Sequence, residues 1–338
     1  MHDEQVAGIP AFLTEKLTAQ YDDETVTRVA QGYVEAAERP VTLRANALKA
    51  TGEEVASVLD AAGIGFSRVP WYEDAFVLSS VRERAVWDLD IYREGKVYLQ
   101  SLSSMLPPLL LGAQPGMDVL DMCAAPGGKT SQIAALTAGK AHLTACELNG
   151  PRADKLSYNL TKLGAANVQV MRTDARQLDE FFRFDAILLD APCTGSGTLR
   201  ADDERAKGRI TNKLLAKVTR SQRALLDRAL TVLKPGGTLV YSTCSVLAEE
   251  NEEQVKAVLA TKRHRDCVVA PIVLGELPDE PETANEKKDD RPKPVALPYA
   301  NTGTFAIPTL PCSLPGALTV APTRDFEGFF ACVIRKRG

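Results

Sequence analysis

Residues 118–130 read DVLDMCAAPGGKT, and the reading of the whole chain starts from them. Val119, Leu120 and Met122 suit a buried parallel strand, and Pro126-Gly127-Gly128 makes a turn that lets backbone amides approach a ligand. Lys129 to Leu136 then predicts a helix whose N-terminus faces that ligand. Glu147 closes the next strand-like run, HLTACE, twenty positions after Gly127. In a nucleotide-binding βαβ unit this spacing places a carboxylate where ribose hydroxyls can donate to it.

Two phosphate readings fail by residue. A dinucleotide loop needs G-x-G-x-x-G, but Cys123, Ala124, Ala125 and Pro126 stand at the corresponding positions. A P-loop needs glycine five positions before Gly128, where this chain has Cys123. What remains is a ligand with ribose and adenine but no phosphate, of which S-adenosylmethionine is the common one. Taken alone, the loop also fits a glycine turn in a generic α/β core.

The 338 residues suit one large α/β domain and a smaller one. A 45% hydrophobic, 25% charged composition is that of an ordinary soluble globular protein. No run reaches the roughly 18–20 apolar residues that span a membrane, and the N-terminus MHDEQVAGIP lacks a signal-peptide core, which predicts a cytoplasmic protein. The seven cysteines include no C-x-x-C pair, and Cys146, Cys267 and Cys332 read as small buried hydrophobes. His2, His142 and His264 lie far apart and near no carboxylate cluster, so neither a triad nor a metal site is expected. The net charge of −4 argues mildly against a nucleic-acid partner, but Arg200 to Lys234 carries ten basic against four acidic residues, a candidate RNA contact inside an acidic chain.

Residues 1 to about 40 predict helices, with Val26, Val29, Ala30 and Tyr33 on one apolar face. A strand in VTLRANALK, a capped helix closing at Gly63 and two strands in SRVPWYEDAFVLSS complete an α+β N-terminal domain, placed at 1–95. Residues 96–338 form the second domain, in which strands and helices alternate from Asp118 onward, predicting a doubly wound, mostly parallel sheet with helices on both faces. Ligands bind such sheets at the carboxyl ends of the strands, where Cys123, Glu147, Asp174, Asp190 and Cys244 all fall. The acidic, Pro-rich stretch around 275–296 reads as a flexible insertion, and FEGFFACVIRKR as a last strand returning to the sheet edge.

FDAILLDAPCTGSG puts Asp190, Pro192 and Cys193 in a loop directly after a strand. Methyltransferases that attack exocyclic amines carry an aromatic ring there to stack on the amine-bearing ring; Cys193 stands in its place, which favours carbon methylation. C5 of a pyrimidine is not nucleophilic enough to attack a methyl sulfonium until a thiolate adds to C6, and a base must afterwards remove the C5 proton. YSTCS supplies a second strand-end cysteine, Cys244, ahead of a helix whose N-terminal amides favour a thiolate and whose Glu249 and Glu250 oppose it. Which cysteine attacks is left open by the residues alone.

DMCAAPGGKT, DAPCTGSG, LKPGGTLVYSTCS with EENEEQV, and the terminal EGFF resemble, in order, the motifs of the Sun family of RNA cytosine-C5 methyltransferases; VTLRANALK and VYLQSLSS resemble its N-terminal portion. The layout and VPWYEDAF resemble the bacterial branch that methylates 16S rRNA, without the C-terminal extension of its longer members. The resemblance implies a class I, Rossmann-like methyltransferase fold and S-adenosylmethionine held by Cys123, Ala124, Ala125, Pro126, Gly127, Gly128, Lys129 and Glu147, with Asp174 near adenine and Asp190 near the reacting groups. It implies Cys244 as nucleophile, Cys193 in product release, and an RNA substrate, rRNA before tRNA. A non-catalytic RNA-binding assembly factor would show a lost nucleophile or a disrupted loop. DNA cytosine methyltransferases use the cysteine of the Pro-Cys loop and lack a second one at the next strand end.

Overall fold

Runs such as FDAILLD and TLVYST are apolar without alternation, the pattern of strands covered on both faces, and they form the centre of the larger of two main sheets. The computed structural model describes residues 9–277 and 292–338. The strands are β1 (Thr42–Ala45), β2 (Phe66–Val69), β3 (Tyr72–Leu78), β4 (Val97–Leu99), β5 (Asp118–Asp121), β6 (His142–Cys146), β7 (Gln169–Met171) and β8 (Phe184–Asp190). They continue with β9 (Leu233–Thr243), β10 (Cys267–Ala270), β11 (Ile272–Leu274), β12 (Val295–Leu297), β13 (Thr309–Leu310), β14 (Leu318–Val320) and β15 (Phe329–Lys336).

The large sheet runs β13-β14-β15-β9-β8-β5-β6-β7, with β10 also on β15. β5 pairs in parallel with both β6 and β8, so the strand order reverses at β5, the topological switch point where doubly wound sheets hold ligands. Alternate residues feed two cores. Val119, Leu188, Val240 and Val333 face the helices Leu102–Leu111, Gly128–Leu136 and Gly150–Lys162, while Leu120, Ile187, Leu239 and Ile334 face Asn212–Val232 and Glu252–Leu259. This is the class I methyltransferase architecture, a mixed sheet with a small N-terminal domain. Among the described residues no helix is long and apolar enough to cross a membrane.

Three expectations need amending. The terminal strand β15 is not at the edge: it sits antiparallel to β9 on one side and pairs with β14 and β10 on the other. Its first six residues are all buried, which an edge strand does not require. The small antiparallel sheet, β2-β3-β1-β4, reaches past residue 95, because β4 supplies the second partner of β1 through the Leu43–Leu99 pairing. The N-terminal helices Ala11–Gln20 and Asp23–Glu35 pack away from that sheet: Leu13, Leu17, Val29 and Tyr33 share a core with Leu199, Leu215, Val246 and Leu247, next to the two cysteine loops. Of the insertion expected at 275–296, residues 278–291 lie outside the described residues.

Arg44 ties the small sheet to the large one. It is fully buried, donating from Nε to Gln100 Oε1 (2.9 Å) and from Nη2 to Ser131 Oγ (2.6 Å) and the Gly128 carbonyl (3.0 Å), in the first turn of the helix after the glycine loop. The N-terminal helices are held by a different device. A Cβ on Gly32 would lie 1.9 Å from the Pro322 carbonyl oxygen, so this helix reaches its seat only with glycine there. Gly32→Ala should therefore lower the unfolding free energy by about 1–3 kcal/mol, the usual cost of overpacking. An unchanged midpoint in urea denaturation would show that the helix does not depend on this contact.

Candidate functional site

Four strand ends and the loops after them converge at the switch point. β5 ends at Asp121 and leads through Cys123-Ala124-Ala125-Pro126 into the helix Gly128–Leu136; β6 ends beside Glu147, β8 at Asp190, and β9 beside Cys244. Asp174 follows β7 by three residues. The five strand-end residues expected from sequence thus share one edge of the sheet, and they line two cavities that meet.

The first cavity, of about 700 Å³, is lined by Met122, Glu147, Leu148, Asp174, Pro192 and Cys193. Glu147 is 6% exposed; its Oε1 accepts from the Asn149 amide at 2.8 Å and its Oε2 lies 3.2 Å from Arg152. Leu148, 63% exposed, offers an apolar surface directly beside that carboxylate. Asp174 is chelated by Arg176, and this hydrogen bonding holds its carboxyl below the ordinary range. A carboxylate at a strand end, an adjacent apolar side chain and a second acceptor fit the ribose and adenine of an adenosine ligand.

The second cavity, of about 750 Å³, is lined by Arg39, Tyr98, Gln100, Ser101, Lys129 and Phe329. Cys123, Ala125, Asp190 and Cys244 belong to both cavities. The structure separates the loop residues that the sequence groups together: Cys123 and Ala125 reach the Glu147 cavity, whereas Ala124, Pro126, Gly128 and Lys129 line the other, and Gly127 lines neither. Lys129 Nζ donates to Asp190 Oδ2 at 2.8 Å and to Ser104 Oγ at 2.7 Å, and Ser242 Oγ donates to Asp190 Oδ1 at 2.8 Å. Burial opposes the charge on Lys129, but the Asp190 carboxylate outweighs it and holds the ammonium above its usual pKa.

Cys193 Sγ and Cys244 Sγ are 3.1 Å apart. With a second sulfur so close, and with burial added, the Cys193 thiol is pushed well up; the pair cannot ionise twice. Burial likewise keeps the Cys123 thiol well above its usual pKa, so it remains protonated. The loop 193–198 is locked against β9 by the Gly197 amide, which donates to the Cys244 carbonyl at 3.0 Å. Gly197 has no room for a side chain, since a Cβ there would stand 1.9 Å from the Gly328 carbonyl oxygen.

Glu250, expected from sequence only to oppose a thiolate at Cys244, has a structural role that sequence reasoning missed. Within EENEE it looks like one charge in a solvated run, yet it is fully buried and forms the bracket between the two cysteine loops. Its carboxylate accepts from the Thr194 amide (2.8 Å), Thr194 Oγ1 (2.6 Å), Ser245 Oγ (2.5 Å) and Gln222 Nε2 (3.1 Å). Thr194 follows Cys193, and Ser245 follows Cys244. Asp121 was also missed: burial pushes its carboxyl up to about 6 despite the hydrogen bond from Thr130 Oγ1 at 2.7 Å. No sequence signal marks either residue as buried. The basic stretch is partly spent within the fold, with Arg200, Lys207, Arg228 and Lys234 in ion pairs with Asp202, Glu204, Glu180 and Asp118/Asp185.

Residues 108–332 match the 16S rRNA methyltransferase RsmB/F family, and residues 9–83 match the ferredoxin-like domain of RsmF/B-like methyltransferases. The ribosomal RNA small subunit methyltransferase F of Shewanella amazonensis is 37% identical over 233 residues, 68% of this chain and 49% of that protein. The counterpart from Shewanella oneidensis is 37% identical over 65% of this chain and 48% of its own. The chain thus spans about half the length of the curated relatives it matches. A methyltransferase homolog protein from Pyrococcus horikoshii superposes with a TM-score of 0.71 at 32% identity, over 93% of this chain and 91% of the other. The NSun6 structure from the same organism, solved with SFG, shares the fold at a TM-score of 0.76 and 20% identity, over 98% of this chain and all (100%) of that one. With both its catalytic-type domain and its N-terminal domain matched, the chain belongs to the RsmB/F family of 16S rRNA methyltransferases.

Proposed function

We propose that this chain transfers a methyl group from S-adenosylmethionine to C5 of a cytidine in structured RNA, with 16S rRNA as the substrate, by way of a covalent bond between Cys244 and C6. The observation that carries the reading is the position of Cys244: it borders both cavities, within 3.1 Å of a second sulfur, beside an Asp190–Lys129 pair. The names of the relatives support rRNA as the substrate class.

When bound, S-adenosylmethionine supplies an electrophilic methyl group. Glu147 would accept from the ribose diol, Leu148 would cover the adenine, and Asp174 would accept from the adenine amine. In the second cavity Asp190 and Lys129 engage the N3/N4 edge of the cytosine, which draws electrons from the ring. Cys244 attacks C6 as a thiolate, forming a C–S bond and leaving C5 nucleophilic enough to take the methyl group. Loss of the C5 proton to a base then restores the C5=C6 double bond and expels Cys244 as a thiolate. Cys193, kept protonated beside Cys244, donates its S–H to the departing sulfur, so its role falls in product release. In this scheme Glu250 is a positioning residue, acting on both sulfurs through Thr194 and Ser245.

The division of labour is tested on a denaturing gel after incubation with substrate RNA and S-adenosylmethionine. Cys193→Ala should trap protein covalently on RNA, Cys244→Ala should neither turn over nor trap, and the double variant should trap nothing. A shifted band for Cys244→Ala with none for Cys193→Ala would reverse the roles. For Glu250→Ala, each buried donor left unpaired costs about 1–3 kcal/mol, so its melting temperature should drop clearly. Glu250→Gln, which keeps the shape, should retain affinity for S-adenosylmethionine while kcat falls. An unchanged kcat in Glu250→Gln would show that the bracket does not set the cysteine geometry.

A further inference from the structure

A groove of about 170 Å³ opens between the small sheet and the helix Gly150–Lys162, lined chiefly by Tyr92, Tyr98, Pro126, Lys155, Asn159 and Lys162. It shares Tyr98, Leu99 and Pro126 with the cavity that contains Cys244, so the groove adjoins the cavity of the reacting sulfur. Its charge is unusual for a chain of net charge −4. Lys155 and Lys162 line it, with Lys49 beside Lys162, and among the described residues none of the three is in an ion pair. Lys49 Nζ instead donates to the carbonyls of Glu94 (2.9 Å) and Lys162 (2.7 Å), and Lys162 Nζ lies 3.9 Å from the centre of the Tyr92 ring. Burial, and then the neighbouring Lys49, disfavour the charge on Lys162. A cluster of like charges with no internal counterion is relieved by an external anion.

We propose that this groove carries the phosphodiester backbone of the RNA strand flanking the target cytidine, with Lys155 and Lys162 as its phosphate contacts. The proposal rests on the RNA-methylation reading above and gives that substrate its path. Adjacency to the cysteine cavity, through the shared Tyr98, Leu99 and Pro126, favours a strand attached to the target base over a free anion. Along Arg200 to Lys234 four of the ten cations are in ion pairs, whereas neither Lys155 nor Lys162 is, and only the latter two line a groove beside the cysteine cavity.

The test measures filter binding of transcribed, protein-free 16S rRNA against salt, together with KM and kcat for RNA from labelled methyl incorporation, and affinity for S-adenosylmethionine as a check on folding. The pair Lys155→Glu and Lys162→Glu should reduce the slope of log K against log salt by about 1.4–1.8, since each phosphate contact contributes about 0.7–0.9. KM for RNA should rise tenfold or more, with kcat at saturating RNA and cofactor affinity unchanged. Lys213→Glu with Lys217→Glu should change these values less. If the double variant loses cofactor binding, Lys155→Glu alone, at an exposed position, decides on the same readouts with half the slope change. Wild-type slope and KM in a folded variant would overturn the proposal. So would lost affinity for 30S subunits with unchanged affinity for naked rRNA, which would assign the groove to a ribosomal protein. A wild-type protein that neither binds nor methylates rRNA would remove the functional reading itself, and the groove proposal with it.

Discussion

The carboxylate of Glu250, buried between two loops, is the constraint on which the site depends. An ionised group out of water costs several kcal/mol unless its lone pairs are filled. Here four donors fill them: two from Thr194, one from Ser245 and one from Gln222. The loops therefore cannot drift apart without leaving buried donors and acceptors unpaired. The Tyr241 hydroxyl adds a bond to the Glu250 carbonyl at 2.6 Å, fixing the bracket to β9 itself. Two cysteines from separate loops are thereby held at a sulfur–sulfur distance of 3.1 Å without a disulfide.

Around that bracket the fold supplies two approaches. The parallel strands β5, β6 and β8 deliver Cys123, Glu147 and Asp190 at the switch point and form the cavity suited to an adenosine ligand. The opposite cavity is completed by parts of the chain that lie before the large sheet in sequence, including Arg39, Tyr98 and Gln100. Arg44 couples the two halves, because its guanidinium joins Gln100 of the small domain to the first turn of the helix behind the glycine loop. A movement of the small sheet on binding RNA would therefore be felt at the loop through a fully buried side chain.

The central strands and the glycine loop were legible from sequence because their signals are local: apolar runs of strand length, a turn of Pro-Gly-Gly, and carboxylates or thiols one residue past a strand. What was not legible depends on distant pairing. FEGFFACVIRKR reads as a strand returning to the sheet edge, and nothing in it shows that β15 inserts between β9 and β14. Val26, Val29 and Tyr33 announce a buried helix face without naming Leu199 and Val246 as its cover. EENEE reads as solvent-facing because four of its five residues are acidic, and only the loops around it show why Glu250 and Glu252 are buried. The resemblance groups Lys129 with the cofactor loop; its contact with Asp190, at the end of β8, is not legible in the sequence.

The most direct measurement of the account is a mechanism-based trap. In RNA carrying 5-fluorocytidine at the target, the proton that must leave C5 is replaced by fluorine, so the enzyme stalls after methyl transfer with its nucleophile still bonded to C6. Protease digestion and mass spectrometry of the wild-type adduct then identify the bonded residue. The account predicts the nucleotide on the peptide containing Cys244; its attachment to Cys193, or the absence of any adduct from RNA that the enzyme methylates in its unsubstituted form, would contradict it.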